Sequence, residues 1–136
     1  MVVKDRLSQF LLQQITGRQF KLGEWDCGIM LADWYVYSTG KPDPAARYRG
    51  TEYHIDSVYE IVTKVAAEMN LPETLHPKRG DVGIISINDK DGSKITFGAI
   101  FAGSRWLLLA QNGSISGISP KLVILHKAWR VPVSAD

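Results

Sequence analysis

The first half of the chain contains apolar residues at the three- to four-residue spacing of amphipathic helices. Residues 3–16 follow this spacing up to Gly17, a residue type that favours the position just after a helix. Residues from about 52 to 69 follow it again, and Pro72 lies shortly beyond them. The pattern therefore predicts one helix in each of these two stretches.

Between these stretches lies a segment that is apolar around most of a helical circumference. Asp26 is a favourable N-cap residue, so a helix is predicted to begin at Asp26 or Cys27. Gly40 is the natural C-cap, and Pro42 and Pro44 prevent the helix from continuing. A helix that is apolar on most sides is usually buried on several of them. We therefore expect this helix to lie at the centre of the fold.

The second half of the chain carries the pattern of strands. Short segments rich in Val, Ile, Leu and aromatic residues are separated by turn residues at 89–92 and 103–104. The predicted strands are residues 81–87, 94–102, 105–111 and 122–131. Because helices come first and strands follow, the order predicts an α+β fold, with N-terminal helices packed on a C-terminal antiparallel sheet.

Composition limits the class of protein. The chain has 136 residues, of which 45% are hydrophobic and 22% charged, so residues 1–136 are expected to form a single globular domain. The net charge is +2, and the 16 Lys and Arg residues are spread along the chain. A nucleic-acid partner is therefore not expected, because such partners usually select a clustered basic surface.

Compartment, cofactors and metals can also be predicted. A single cysteine forms no internal disulfide and cannot supply a multi-cysteine zinc site, and no cofactor motif is present.

Charges at Lys4, Asp5 and Arg6 interrupt the N-terminal region, which lacks the apolar core of a signal peptide. The longest fully apolar run, residues 106–110, is far shorter than the roughly 20 residues that span a bilayer. We expect no membrane span and synthesis in the cytoplasm.

Cys27 is the strongest candidate for a chemically reactive side chain. A thiol at a helix N-terminus can be activated, because free N–H groups and the helix dipole favour the thiolate. Gly28 beside it would leave room for a substrate carbonyl and an oxyanion donor. Two observations oppose activation: lone cysteines are often small buried hydrophobes, and the negative charge of Asp26 raises a neighbouring thiol's pKa. Both interpretations remain open at the level of local sequence.

Three short motifs follow one another in a recognisable order. They are Asp26-Cys27-Gly28 at a helix start, Gly80-Asp81-Val82 entering a strand, and the strand from Phe97-Gly98 to Gly103. Over about residues 20–131 this order resembles the NlpC-type cell-wall peptidases, a papain-like group. The resemblance implies a papain-like fold with Cys27 in the position of the nucleophile.

A second resemblance is more specific. The chain contains Trp25-Asp26-Cys27, Ala32-Asp33-Trp34, Thr39-Gly40, Asp43-Pro44-Ala45, Arg49-Gly50 followed by Tyr53, Arg79-Gly80-Asp81-Val82 and Ala128-Trp129-Arg130-Val131. This series resembles a phage-encoded family of unknown function found among tail-module genes. Members have Trp-x-x-Asp-Cys, whereas here Trp25 directly precedes Asp26.

Histidine is missing where the peptidase resemblance would place it. A cysteine hydrolase needs an imidazole that takes the thiol proton, and in the peptidases this His begins the strand written here as Thr96-Phe97-Gly98. Of the three histidines, His126 on the last predicted strand is the candidate base, since His54 and His76 lie in other regions. Gln111 is the candidate for the residue that orients the base.

Two functional hypotheses follow, together with a third that has no specific residue pattern. The first is a degenerate peptidase scaffold in a phage or prophage tail, near the tail tip, acting in tail assembly or cell-wall contact. Its partners would be other tail proteins and peptidoglycan, and it would reside in the virion tail after assembly in the host cytoplasm. The second is a cysteine hydrolase that cleaves peptidoglycan stem peptides with Cys27. The third is a small-molecule or acyl-binding pocket in the former cleft.

Overall fold

The computed structural model describes residues 5–14, 18–51, 58–110 and 112–132, which contain three α-helices followed by five strands. The helices are α1 Arg6–Gln14, α2 Cys27–Thr39 and α3 Val58–Glu68. The strands are β1 Val82–Asn88, β2 Lys94–Phe101, β3 Trp106–Leu109, β4 Ile115–Ile118 and β5 Ile124–Trp129, with a short 3₁₀ helix Pro120–Leu122 before β5. The predicted α+β class is confirmed at this level.

Helix α2 has the two caps that the sequence predicts. The Asp26 carboxylate accepts a hydrogen bond from the Ile29 N–H at 2.9 Å. At the other end Gly40 adopts a left-handed conformation with φ 71°, and its N–H donates to the Val36 carbonyl at 2.8 Å. These caps satisfy backbone groups that the helix itself leaves unpaired. Eight of the 13 residues of α2 are buried, so the helix is central as expected.

The other two helices pack less completely. In α1, Leu7 and Phe10 are buried. In α3, Val58 and Ala66 are buried, whereas the rest of its apolar stripe is only partly covered. The predicted ends of these helices at Gly17 and at residues 52–57 lie outside the described residues. Among the helices of the described ranges, none has the length and apolar character needed to cross a bilayer.

The strands form one antiparallel sheet in the order β4-β3-β2-β1-β5. Alternate residues of β1 and β2 point to opposite faces, as strand geometry requires. Ile84 and Ile100 belong to the core shared with the helices, whereas Ile85 and Ala99 belong to a second apolar cluster with Trp106. The sheet therefore contributes to two cores, and the helices pack on one of its faces.

Strand β4 was not predicted. It pairs with β3 from Ile115 to Ile118 at one end of the sheet and contains Ser116 and Gly117, both exposed. Four residues that include Gly and Ser lack the apolar run that marks a strand, and Gly is depleted in strands. The neighbouring predictions were also too long, since β3 ends at Leu109 and β5 begins at Ile124.

Candidate functional site

The turn before α2 holds the start of the helix in place. Besides capping α2, the Asp26 carboxylate accepts a hydrogen bond from the Gly23 N–H at 2.8 Å. The Gly23 carbonyl in turn accepts from the Gly50 N–H at 2.9 Å. A Cβ at position 23 would lie 2.0 Å from the Thr51 carbonyl oxygen, and φ there is 83°, so only glycine suits this position. The segment of residues 23–26 thus has a structural role.

Cys27 begins α2 and is almost completely buried. Its relative exposure is 2%. Burial raises the pKa of the Cys27 thiol to about 11; a backbone hydrogen bond from Gly98 opposes the rise, and the Asp26 carboxylate adds to it. The thiol is therefore protonated near neutral pH. Desolvation outweighs the favourable helix N-terminus at this residue.

The start of α2 lies directly against β2 at Gly98. A Cβ at position 98 would lie 2.9 Å from Leu31 Cδ1 and 3.4 Å from the Cys27 carbonyl oxygen. The absent side chain permits this close approach of helix and strand. Cys27 therefore faces the sheet, and the strand that carries Gly98 is the one on which the peptidase resemblance would place the catalytic base.

A chain of hydrogen bonds joins three strands close to this contact. Thr96 pairs with Ser86 across β2 and β1, and their hydroxyl oxygens are 2.8 Å apart. Ser86 Oγ is also 2.7 Å from His126 Nε2 on β5. The His126 ring makes an edge contact with Tyr59 of α3, with ring centroids 5.7 Å apart. Thr96 precedes Gly98 by two residues and so shares its face of the sheet.

Of the candidate catalytic residues, the structure describes Cys27 and His126. His126 is exposed on β5 and forms no hydrogen bond with Cys27, although both residues are described. Gln111 and His54 lie outside the described residues. His76 is exposed in the segment before β1, where its carbonyl accepts from Arg130. Within the described ranges, no group of three or more His, Cys, Asp or Glu side chains could hold a metal ion.

Sequence reasoning missed Ser86, and it considered Thr96 only as a residue at the place of the absent catalytic His. Ser86 is buried, with 2% relative exposure, and is flanked by Ile85 and Ile87 in strand β1. A polar residue at an inward position of such a strand needs a hydrogen-bond partner, which is the signal that could have drawn attention to it. Its partners come from different strands, so the sequence alone could not identify them.

Two arginines form an ion-pair network around α2. Arg49 Nη2 lies 2.6 Å from one Asp33 oxygen, and Arg18 Nη1 lies 3.0 Å from the other. Arg49 also binds Asp43, and it lowers the pKa of that carboxyl group. The Arg18 guanidinium lies 3.8 Å from the centre of the Trp25 ring. The network ties the segments on both sides of α2 to the helix.

A second set of contacts connects the end of the chain to the start of β1. Asp81, 1% exposed, accepts from Arg130 Nε at 2.9 Å and from the Lys78 N–H at 2.8 Å. The Trp34 indole N–H donates to the Gly80 carbonyl at 2.7 Å. These contacts join α2, the entry to β1 and the residues after β5.

The residues in these networks come from motifs distributed along almost the whole chain. Residues 2–131 match the family model described as Domain of unknown function (DUF6950). The chain belongs to this family. No curated protein and no solved structure matches it significantly. In this DUF6950 chain, the described motif residues Asp33, Trp34, Asp81 and Arg130 all make contacts that maintain the fold.

Proposed function

We propose that the chain is a phage or prophage tail component, near the tail tip, with a degenerate NlpC-type papain-like scaffold. The proposed tail location rests on the motif series that resembles a phage tail-module family. The proposed loss of activity rests on the state of Cys27, which is 2% exposed and whose thiol pKa is raised to about 11. A protonated, buried thiol is a poor nucleophile, since the thiolate is the reactive form. A peptidase-like order of elements without an activated nucleophile suits a protein that binds and no longer cleaves.

The use of the motif residues supports the same proposal. Asp33 and Arg49, which come from separate motifs, pair with each other, and so do Asp81 and Arg130. These motif residues therefore stabilise the fold. The folded domain would act in tail assembly or in cell-wall contact, with other tail proteins and peptidoglycan as partners. It would reside in the virion tail after synthesis in the host cytoplasm.

Gene deletion in the phage or prophage that encodes the chain tests this proposal. Deletion should abolish infective particles, and the wild-type gene supplied in trans should restore them. Cys27→Ala should restore them equally, because a scaffold does not need the thiol, whereas Asp81→Ala should not, because Asp81 holds the fold. Fully infective particles that never contained the protein would exclude the proposal.

A second candidate is a cysteine hydrolase acting on peptidoglycan stem peptides. The hydroxyl chain from His126 through Ser86 to Thr96 favours it, because Thr96 lies beside the Gly98 contact of Cys27. In this mechanism Cys27 Sγ would attack an amide carbonyl. His126 would accept the thiol proton through the hydroxyl groups of Thr96 and Ser86 and return it by the same route to the leaving amine, and water would hydrolyse the thioester.

Labelling and hydrolysis assays distinguish the second candidate from the first. A hydrolase should react rapidly with iodoacetamide at pH 7, and Cys27→Ala should abolish release of peptides from purified peptidoglycan. Ser86→Ala should lower the rate, whereas the exposed Ser116→Ala should not. Slow labelling together with no effect of Cys27→Ala would refute the hydrolase and leave the scaffold.

A further inference from the structure

Strand β5 lies at one end of the sheet order, and only part of its outer side is covered. The Thr74 N–H donates to the Ala128 carbonyl at 2.9 Å, and the Arg130 N–H donates to the Pro72 carbonyl at 2.9 Å. The segment before β1 therefore pairs with the C-terminal end of β5. Among the residues that the structure describes, none pairs in this way with Leu125, nearer the start of the strand.

The register of β5 shows which backbone groups lie on its uncovered side. In an antiparallel pair, residues that bond across the ladder alternate with residues whose N–H and C=O point away from it. Ala128 lies opposite Gly83 and points away from β1, because its carbonyl accepts from Thr74. Leu125 lies opposite Ile85, two residues further along β1, so its N–H and C=O point away as well. Such groups select an extended polypeptide, because an added strand supplies donors and acceptors at matching spacing.

The side chains along this part of the edge are aliphatic. Residues 122–125 are Leu-Val-Ile-Leu, and Leu122, Ile124 and Leu125 are 72%, 42% and 39% exposed. Edge strands commonly carry a charged residue or a proline that prevents further pairing, and this run contains neither. Ile124 and Leu125 lie on opposite faces of the sheet, so aliphatic residues of an added strand can contact the edge on both faces.

Charge defines the partner further. Residues 92–135 contain five Lys and Arg residues and no Asp or Glu. Lys121 directly precedes the aliphatic run, is exposed, and forms no ion pair with any residue that the structure describes. Antiparallel pairing of two β5 edges would bring Lys121 of one copy towards Lys127 of the other, and like charges across strands are destabilising. An acidic strand from a different protein therefore suits this edge better than a second copy.

We propose that the uncovered part of β5 binds an extended segment of another protein, which adds as a sixth strand beside residues 122–125. The segment has aliphatic residues at alternate positions and an acidic residue that pairs with Lys121. The inference does not depend on the proposed role in a phage tail, because it rests on the β5 edge alone.

Amide hydrogen exchange followed by NMR tests whether the edge is open. In the isolated protein the Leu125 amide should exchange much faster than the Ile124 amide, which faces β1 opposite Ser86. Equally slow exchange of the two amides in the monomer would overturn the proposal, because another part of the chain would then cover the edge.

Titration with the acetylated and amidated peptide Glu-Val-Thr-Val-Thr-Val-Glu tests the occupant. Saturable shifts at residues 122–125 are expected, together with slower exchange of the Leu125 amide. The same peptide N-methylated at its valines should not bind, because it lacks the backbone donors of a strand. A peptide with Lys in place of both Glu residues should bind at least about threefold more weakly. Shifts that rise without saturation, or equal binding of the N-methylated peptide, would overturn the proposal.

Exposed-residue variants locate the contact without disturbing the core. Lys121→Glu should weaken binding of the acidic peptide at least about threefold and strengthen binding of the Lys peptide. Lys41→Glu is the matched control, with the same change at an exposed lysine after α2, and should bind as the wild type does. Equal binding by these two variants would overturn the charge assignment. A wild-type dimer that Leu125→Lys converts to a monomer would assign the edge to a second copy and overturn the choice of partner.

Discussion

At the scale of single residues, opposing effects determine the pKa of the Cys27 thiol. The helix N-terminus and the Gly98 backbone favour the thiolate, whereas burial and the Asp26 charge disfavour it. Burial is the largest of these effects, so the pKa rises to about 11. The same Asp26 is indispensable as a cap, because its two oxygens serve the Gly23 and Ile29 N–H groups.

The raised pKa of Cys27 predicts a particular dependence of stability on pH. Above the ordinary pKa of 9.0 the unfolded chain loses the thiol proton while the folded chain keeps it until about pH 11. The unfolded state then binds fewer protons, so the free energy of unfolding should fall by about 1.4 kcal/mol per pH unit across this window. The contribution is complete below pH 9 and is lost as the pH rises.

Urea denaturation at pH 7, 9 and 10 measures this effect as the difference between wild type and Cys27→Ala. The difference removes the contributions of lysines and tyrosines, which titrate in the same range. Cys27→Ala should lose less stability than wild type between pH 9 and pH 10. Parallel pH profiles for the two proteins would contradict the buried, protonated thiol.

At the scale of elements, the contact between α2 and β2 depends on the absence of a side chain at Gly98. Leu31 Cδ1 and the Cys27 carbonyl occupy the space that a Cβ would require. Interiors are packed closely enough that one additional methyl group displaces its neighbours. The contact therefore sets the distance between the central helix and the sheet.

Gly98→Ala should lower the free energy of unfolding by about 1–3 kcal/mol through overpacking against Leu31. Leu31→Val shortens the side chain that the new methyl group would meet. In the double variant the loss should be smaller than the sum of the two single losses, because the two positions are in contact. A double-mutant cycle by chemical denaturation measures the coupling, and strictly additive losses would show that Leu31 is not the obstacle.

At the scale of the whole molecule, ion pairs connect segments that are distant in the sequence. Arg130 after β5 binds Asp81 before β1, and Asp81 is buried. Arg47 donates to both oxygens of Glu68, whereas Arg130 contacts Asp81 through Nε alone, but the Arg47 and Glu68 side chains are 50% and 43% exposed. Loss of the Arg130–Asp81 pair should therefore cost more stability than loss of the Arg47–Glu68 pair. A buried carboxylate that loses its partner stays out of water, whereas the groups of an exposed pair remain solvated.

Arg130→Met should lower the free energy of unfolding by about 2–4 kcal/mol, since it leaves the Asp81 carboxylate buried with only its backbone donors. Arg47→Met is the matched control, with the same change in an exposed pair, and should leave stability nearly unchanged. Thermal and urea denaturation of both variants give the comparison. Similar losses in the two variants would contradict the central role of the Asp81 contact.

The sequence by itself determined the features that depend on neighbouring residues. The caps of α2 at Asp26 and Gly40, the order of helices and strands, and the α+β class all follow from patterns a few residues long. Local backbone geometry and apolar periodicity act over the same distance, which is why these predictions were confirmed. Strand β4 was missed because its four residues carry too little of that pattern.

Only the tertiary structure decided the chemistry of the candidate site. The sequence could place Cys27 at a helix start, but its burial depends on β2, which is about seventy residues further along the chain. The partners of Ser86 come from Thr96 and His126 on neighbouring strands, and their pairing depends on strand register. Desolvation and cross-strand hydrogen bonds arise from segments that meet only on folding, so no local pattern encodes them.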